Sequence, residues 1–274
     1  MEQSLELPTK RRFMDVDYEL DSGFGSRAHI GMVVISNDQT LSHEARAMLQ
    51  LPGVALYESR VLAARQKNEA VTMKLLRKQA DDIDLAVRQI NNLRPSDVVA
   101  LGCTSAAMII GPDELCRRIR NVYPHASVTD PFSGIVAALR ALSSQRIAYV
   151  SPYPRDIAET MIMNIEATGR EVVVGGSFHD ASSNIGDEAP FISPASIDRA
   201  VRHVIDGTDV DTVVIACTQM RAASVIGSIE KQTGKHVITS NQALCWHALR
   251  LAGCDDSVLG WGRLFEIGLA LDAN

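Results

Sequence analysis

From residue 28 onward, short apolar runs of strand length alternate with stretches of helical character. His29-Ile30-Gly31-Met32-Val33-Val34-Ile35 shows no polar alternation, the pattern of a parallel strand covered on both faces. Ser36-Asn37-Asp38 follows as a turn and cap cluster, and a helix is expected from near Leu41. Residues 54–57 read as a second strand. The charged amphipathic stretch 61–93 predicts two helices broken near Asp81-Asp82. Its stripe of Val71, Leu75, Ile83, Val87 and Ile90 reads as core or subunit interface. Residues 97–101 and 127–129 are a third and a fourth strand. The same order then repeats: strand 146–150, helix 156–168, strand 171–175, capped helix 193–205, strand 211–216, a helix, strand 236–239 and helix 242–252. Strands separated by helices predict an α/β protein with parallel sheets and right-handed crossovers. Residues 1–27 lack this order. Their charges alternate in sign, which reads as a surface arm that packs late or pairs with a second subunit.

One internal echo organises the chain. Asp97-Val98-Val99-Ala100-Leu101-Gly102-Cys103-Thr104-Ser105 resembles Asp211-Thr212-Val213-Val214-Ile215-Ala216-Cys217-Thr218-Gln219. Each is a buried strand ending in Cys-Thr, with a helix expected to follow. Two similar α/β halves are therefore expected, each presenting one cysteine at the carboxyl end of a strand. Ligands collect at that edge of open α/β sheets. Two halves facing each other would place the thiols on opposite sides of one cleft.

Composition narrows the function classes. With 46% apolar and 22% charged residues among 274, the chain has ordinary globular make-up. A net charge of −6 argues against nucleic acid as a partner. No charge-free apolar run approaches the roughly 18 residues of a membrane span. The first residues carry no apolar core of a secretory signal, so a cytoplasmic protein with reduced thiols is expected. The five cysteines form no CxxC pair, and no HxxxH pair occurs, so neither a disulfide scaffold nor a metal site is expected. No GxGxxG fingerprint marks a dinucleotide cofactor.

Cys103 and Cys217 carry the candidate chemistry. A thiol at a helix N-terminus feels the positive end of the helix dipole, so a lowered pKa is expected. Two thiols flanking one carbon suit proton removal on one face and delivery on the other. They also suit addition of one thiolate to an electron-poor double bond with protonation by the second thiol. Thr104, Ser105 and Thr218 are neighbouring hydroxyl donors suited to a substrate carboxylate. Asn37 and Asn184 lie in loops after strands, where an amide can hold a carboxylate or cap a turn. Tyr153, stiffened between Pro152 and Pro154, can bind a carboxylate or simply pack. Cys116, Cys245, Cys254 and His247 are read as structural.

These segments resemble the aspartate/glutamate racemase superfamily, on the branch of maleate cis–trans isomerases and arylmalonate decarboxylases. The resemblance rests on Ile30 to Asn37, Gly102 to Ser105, Ser151-Pro152-Tyr153, Asn184, Ala216-Cys217-Thr218 with Arg221, Ser240 to Ala243 and Trp246 to Arg250. It implies two pseudo-symmetric halves, 28–126 with 241–274 and 127–240, around one cleft and without a cofactor. It implies Cys103 as nucleophile, Cys217 as proton donor, and Asn37, Tyr153 and Asn184 as carboxylate binders. The decarboxylases of this branch typically work with one thiol, so two favour isomerisation or racemisation. Ser36-Asn37-Asp38-Gln39-Thr40 and Gln219-Met220 depart from the maleate pattern. The arm, that version of residues 36–40 and residues 54–59 look more like maleate-isomerase-like proteins of ectoine and hydroxyectoine breakdown. The expectation is an isomerase, racemase or epimerase of a small carboxylate, acting as a homodimer. Its rivals are an amino-acid or hydantoin racemase, a one-thiol decarboxylase and a non-catalytic carboxylate-binding protein.

Overall fold

A computed structural model of the chain describes residues 13–90, 93–179 and 185–270. β1 (Ala28–Ile35), β2 (Val54–Val61), β3 (Val98–Gly102) and β4 (Ser127–Thr129) form one sheet in the order β2-β1-β3-β4. β5 (Arg146–Ser151), β6 (Glu171–Ser177), β7 (Thr212–Ile215) and β8 (His236–Thr239) form a second in the order β6-β5-β7-β8. The two orders are the same pattern, so one folding unit occurs twice. Every pairing is parallel. All residues of β1, β3 and β7 are buried, which is why their sequences run apolar without alternation.

Register decides where the chemistry collects. Val34 of β1 lies opposite Gly102 of β3, and Val150 of β5 lies opposite Ile215 of β7. The loops after β1 and β3 therefore leave the first sheet side by side. Those after β5 and β7 do the same in the second sheet.

The helix Ser240–Leu251 joins the halves, packing on helices Leu41–Met48 and Pro131–Ala141 and on strands of both sheets. It opens with a capping box, in which Thr239 and Gln242 satisfy each other's backbone N–H groups. Ten of its twelve residues are buried. A Cβ on Gly134 would sit 2.7 Å from the Ala243 carbonyl oxygen, so here the two helices meet backbone to backbone.

Three expectations need correction. The first sheet extends through Thr129, so the first half runs past the expected break at 126. Residues 62–72 are not helical; the helices of this region are Met73–Lys78 and Ile83–Arg88. Asn68, at φ 63°, and the Thr72 N-cap mark the non-helical path. Cys217 does not open a helix. A turn follows it, then a 3-10 segment Ala223–Val225, and the helix begins only at Ile226. Among the described residues, no helix is long and apolar enough to cross a membrane.

Candidate active site

Cys103 sits at the N-cap of helix Thr104–Ile110, directly after β3. Its sulfur is approached by the backbone N–H groups of Ala106 and Ser105, and by the Ser105 hydroxyl at 4.0 Å. Thr104 points the other way. It is fully buried, and its hydroxyl donates to Ser240 Oγ at 2.8 Å. Thr104 is therefore a framework residue and not a lining residue, contrary to expectation.

Cys217 has φ 132°, a conformation L-residues rarely adopt. Such strain costs roughly 1–3 kcal/mol and persists only when the surroundings over-determine it. Three side chains do so. Ser240 Oγ accepts the Cys217 N–H at 2.9 Å, Asn241 Nδ2 donates to the Thr218 carbonyl at 2.9 Å, and Thr40 Oγ1 donates to the Gln219 carbonyl at 2.8 Å. Asn241 also donates to Glu44, whose other oxygen accepts the Ala223 N–H. The loop is thus clamped by residues of the first half and of the helix between the halves.

Both thiols line one cavity of about 90 Å³ between the halves. Asn37, Asp38 and Ser105 border it from the first half, and Tyr153 and Thr218 from the second. Asn37 is exposed at this border, whereas Ser105, Tyr153 and Thr218 are buried. Asn184 lies outside the described residues. The non-helical 62–72 segment closes one side. There Arg65 enters the cavity wall and pairs with Asp187 at 2.5 Å, while the Asn68 N–H also binds Asp187. Val71 and Leu75, read from the sequence as core or subunit interface, belong to the cavity wall. Ile83 and Val87 do pack in the core, and His247 is held by Thr129 at 2.8 Å.

Burial governs the titration of the site. Both thiols are pushed up rather than down, Cys217 to about 12, because desolvation outweighs the nearby donors. The seven-residue helix after Cys103 does not reverse this. The two thiols differ in their donors. Cys103 receives two backbone N–H groups and a hydroxyl. Cys217 receives the Gln219 N–H and the Tyr153 hydroxyl. Asp38 acts on both sulfurs, and its charge raises each.

Sequence reasoning missed Asp38, Arg65 and Ser240. Asp38 was legible only as part of a cap, and it is one: its Oδ1 accepts the N–H groups of Thr40 and Leu41. Arg65 carried no signal, because it lies in a stretch that reads as helix.

Residues 55–265 match the arylmalonate decarboxylase family. The chain belongs to that family. Relatives of this family member include a maleate isomerase of Nocardia farcinica, 28% identical over 254 residues, covering 89% of this chain and 98% of that one. A maleate isomerase of Geobacillus stearothermophilus is 26% identical, with 86% of this chain and 96% of that one covered. Among solved structures, a cysteine-to-serine mutant of the Nocardia farcinica maleate cis-trans isomerase, with a covalently bound succinylcysteine intermediate, matches with a TM-score of 0.75. It is 26% identical and covers 87% of this chain and 98% of its own.

Proposed function

We propose that this arylmalonate decarboxylase family protein is a cysteine-based cis–trans isomerase of a small unsaturated carboxylate, with maleate the first substrate to test. The observation that carries this reading is the pair Cys103 and Cys217, each presented by the matching strand of its half and both lining one cavity. The relative that holds a succinylcysteine supports the covalent step.

The donor sets support a division of roles. Cys103 has more N–H and O–H groups to stabilise a thiolate, which supports it as the nucleophile. Cys217, held as a thiol by its raised pKa, is the acid. Burial holds Cys103 as a thiol as well, so the reacting form is the fraction in which it has lost its proton to solvent; that thiolate adds to one alkene carbon, forming a C–S bond and moving the π electrons to the other carbon. The Cys217 thiol protonates that carbon, leaving a thioether with a single bond free to rotate. After rotation, the Cys217 thiolate removes the proton and the C–S electrons return to Cys103, releasing the trans alkene. Atoms and charge balance, and the enzyme returns to its starting state. Asn37, Ser105, Tyr153 and Thr218 border the cavity as donors to substrate oxygens.

Proton NMR of maleate with the purified full chain and a thiol reductant tests the reading. The expected result is fumarate from the wild type and none from Cys103→Ala. Absence of fumarate with the wild type removes maleate. Equal conversion by Cys103→Ala removes the covalent mechanism.

A further inference from the structure

One carboxyl group that takes no part in the steps above reaches both ends of the Cys217 loop. Glu44 lies buried on the helix Leu41–Met48 of the first half. Its Oε1 accepts the Ala223 N–H at 3.2 Å, where the loop ends. Its Oε2 accepts Asn241 Nδ2 at 2.8 Å, and the same Nδ2 donates to the Thr218 carbonyl at 2.9 Å, beside the thiol. Thr40, one turn before Glu44, holds the Gln219 carbonyl between these two points.

This arrangement fixes which end of its amide Asn241 presents. The amide nitrogen sits between two acceptors, a carboxylate oxygen and a carbonyl oxygen. Its own Oδ1 is buried and finds no hydrogen-bond partner among the described residues. A buried acceptor without a donor is unfavourable, so the charge of Glu44 is what keeps the nitrogen turned this way. A proton on Oε2 would put an O–H where a lone pair now stands. The amide would then turn to accept it with Oδ1, and the Thr218 carbonyl would lose its donor. A proton on Oε1 would release the Ala223 N–H instead. Either way one end of the loop is let go.

The groups around Glu44 set its two forms near balance. Burial and the charge of Asp38 disfavour the carboxylate; Asn241, the Ala223 N–H and Arg221 favour it. From the helix Ser240–Leu251 the Cys245 thiol faces it, kept protonated by its own burial. His43 and Arg221 border the same surface groove as Glu44, through which its proton exchanges with solvent.

We propose that Glu44 is a positioning residue for Cys217: as a carboxylate it holds both ends of the loop from the opposite half, and its protonation turns Asn241 and releases the Thr218 carbonyl. The use of Cys217 as an acid rests on the isomerase reading above; the hold on the loop does not.

Two readouts separate them. The first is the 15N–1H NMR spectrum of the full chain from pH 5 to pH 9. The Gln219 amide belongs to the peptide group whose carbonyl is that of Thr218, so it reports what Asn241 does. In the wild type the Ala223 and Gln219 amides are expected to titrate together, with one midpoint near 7. In Glu44→Gln, a permanent copy of the neutral form, neither titrates. Asn241→Ala keeps the carboxyl and removes the relay, so there only Ala223 titrates; it serves if the first variant fails to fold. A Gln219 amide that does not follow Ala223 in the wild type, or that still titrates in a folded variant, overturns the proposal. The second readout is maleate turnover. The kcat of the wild type relative to Glu44→Gln is expected to rise about tenfold from pH 6 to pH 9 at unchanged KM, the scale of one net hydrogen bond. The ratio cancels the titration of the thiols, and a merely structural role would leave it independent of pH; a flat ratio overturns the proposal. If the amides titrate as expected and neither protein converts maleate, the positioning stands and the maleate reading falls.

Discussion

The Thr104 hydroxyl donates to the hydroxyl of Ser240 at 2.8 Å, and the same Ser240 oxygen accepts the N–H of Cys217 at 2.9 Å. One serine on the helix between the halves therefore links the residue after the first thiol to the backbone of the second. Ser240→Ala leaves both partners without their acceptor in a fully buried place. The expected cost is about 1–3 kcal/mol of stability. Because the strained Cys217 loop loses one of its three holds, kcat is expected to fall at least tenfold, with a smaller change in KM. Steady-state kinetics beside a thermal melt checks this; a lower Tm with unchanged kcat would reduce Ser240 to a packing residue.

The two thiols have different donors, so their substitutions should differ in kind. With Cys217→Ser, the adduct on Cys103 takes its proton slowly from solvent and no effective base removes it again, so an adduct of the mass of the protonated substrate is expected to accumulate on Cys103. With Cys103→Ala no adduct is expected on any cysteine. Intact-mass spectrometry followed by peptide mapping reads both. An adduct on Cys217 in the Cys103→Ala protein would exchange the proposed roles.

Glu44 gives the fold a pH dependence of defined sign. Burial raises its carboxyl from the ordinary 4.5 to about 7, against the opposing pull of Asn241 and the Ala223 N–H. The folded state therefore holds the proton more tightly than the unfolded chain. Its contribution is fully present below about pH 4.5 and is lost as pH rises through about 7. The loss is on the order of 3 kcal/mol. Glu44→Gln cannot titrate. Urea unfolding at pH 5 and pH 8 is expected to show the wild type losing more stability than the variant between the two. Parallel losses would mean that Glu44 titrates normally.

Gly134 is a packing test of the joint between the halves. A methyl group there meets the Ala243 backbone at 2.7 Å, and a backbone atom cannot rotate away. Gly134→Ala gains helix propensity of about 1 kcal/mol but forces the helices apart. A net loss of about 1–3 kcal/mol in chemical denaturation is expected. A stabilised variant would show that the helices can separate freely.

Much of the fold was legible because buried parallel strands write themselves as unbroken apolar runs. β1, β3, β5, β7 and β8 all lie within a residue or two of their expected places. The Cys-Thr echo gave the pairing of halves, since the two strands occupy the same position in their sheets. The segment 62–72 was misread because Ala63-Ala64-Arg65-Gln66-Lys67 has helical composition. Asp187, more than a hundred residues away, binds Arg65 and Asn68 and draws the segment into the cavity wall instead. Cys217 was misread for the same reason: its holds come from Thr40, Ser240 and Asn241, none of them local.

By itself the sequence determined the α/β class, the duplicated order of strands and the two cysteines at strand ends. These follow from short-range patterns of burial and from the repeat. Only the tertiary structure decided which neighbours of those cysteines face the cavity. It turned Thr104 into a framework residue, brought Arg65 into the wall, and buried Asp38 in the same wall as both thiols. It also reversed the expected direction of the thiol pKa values, because desolvation between two packed halves outweighs the pull of one short helix. A periodicity records which face of an element is covered. It does not record what lies across the cleft, and there the chemistry of the site is set.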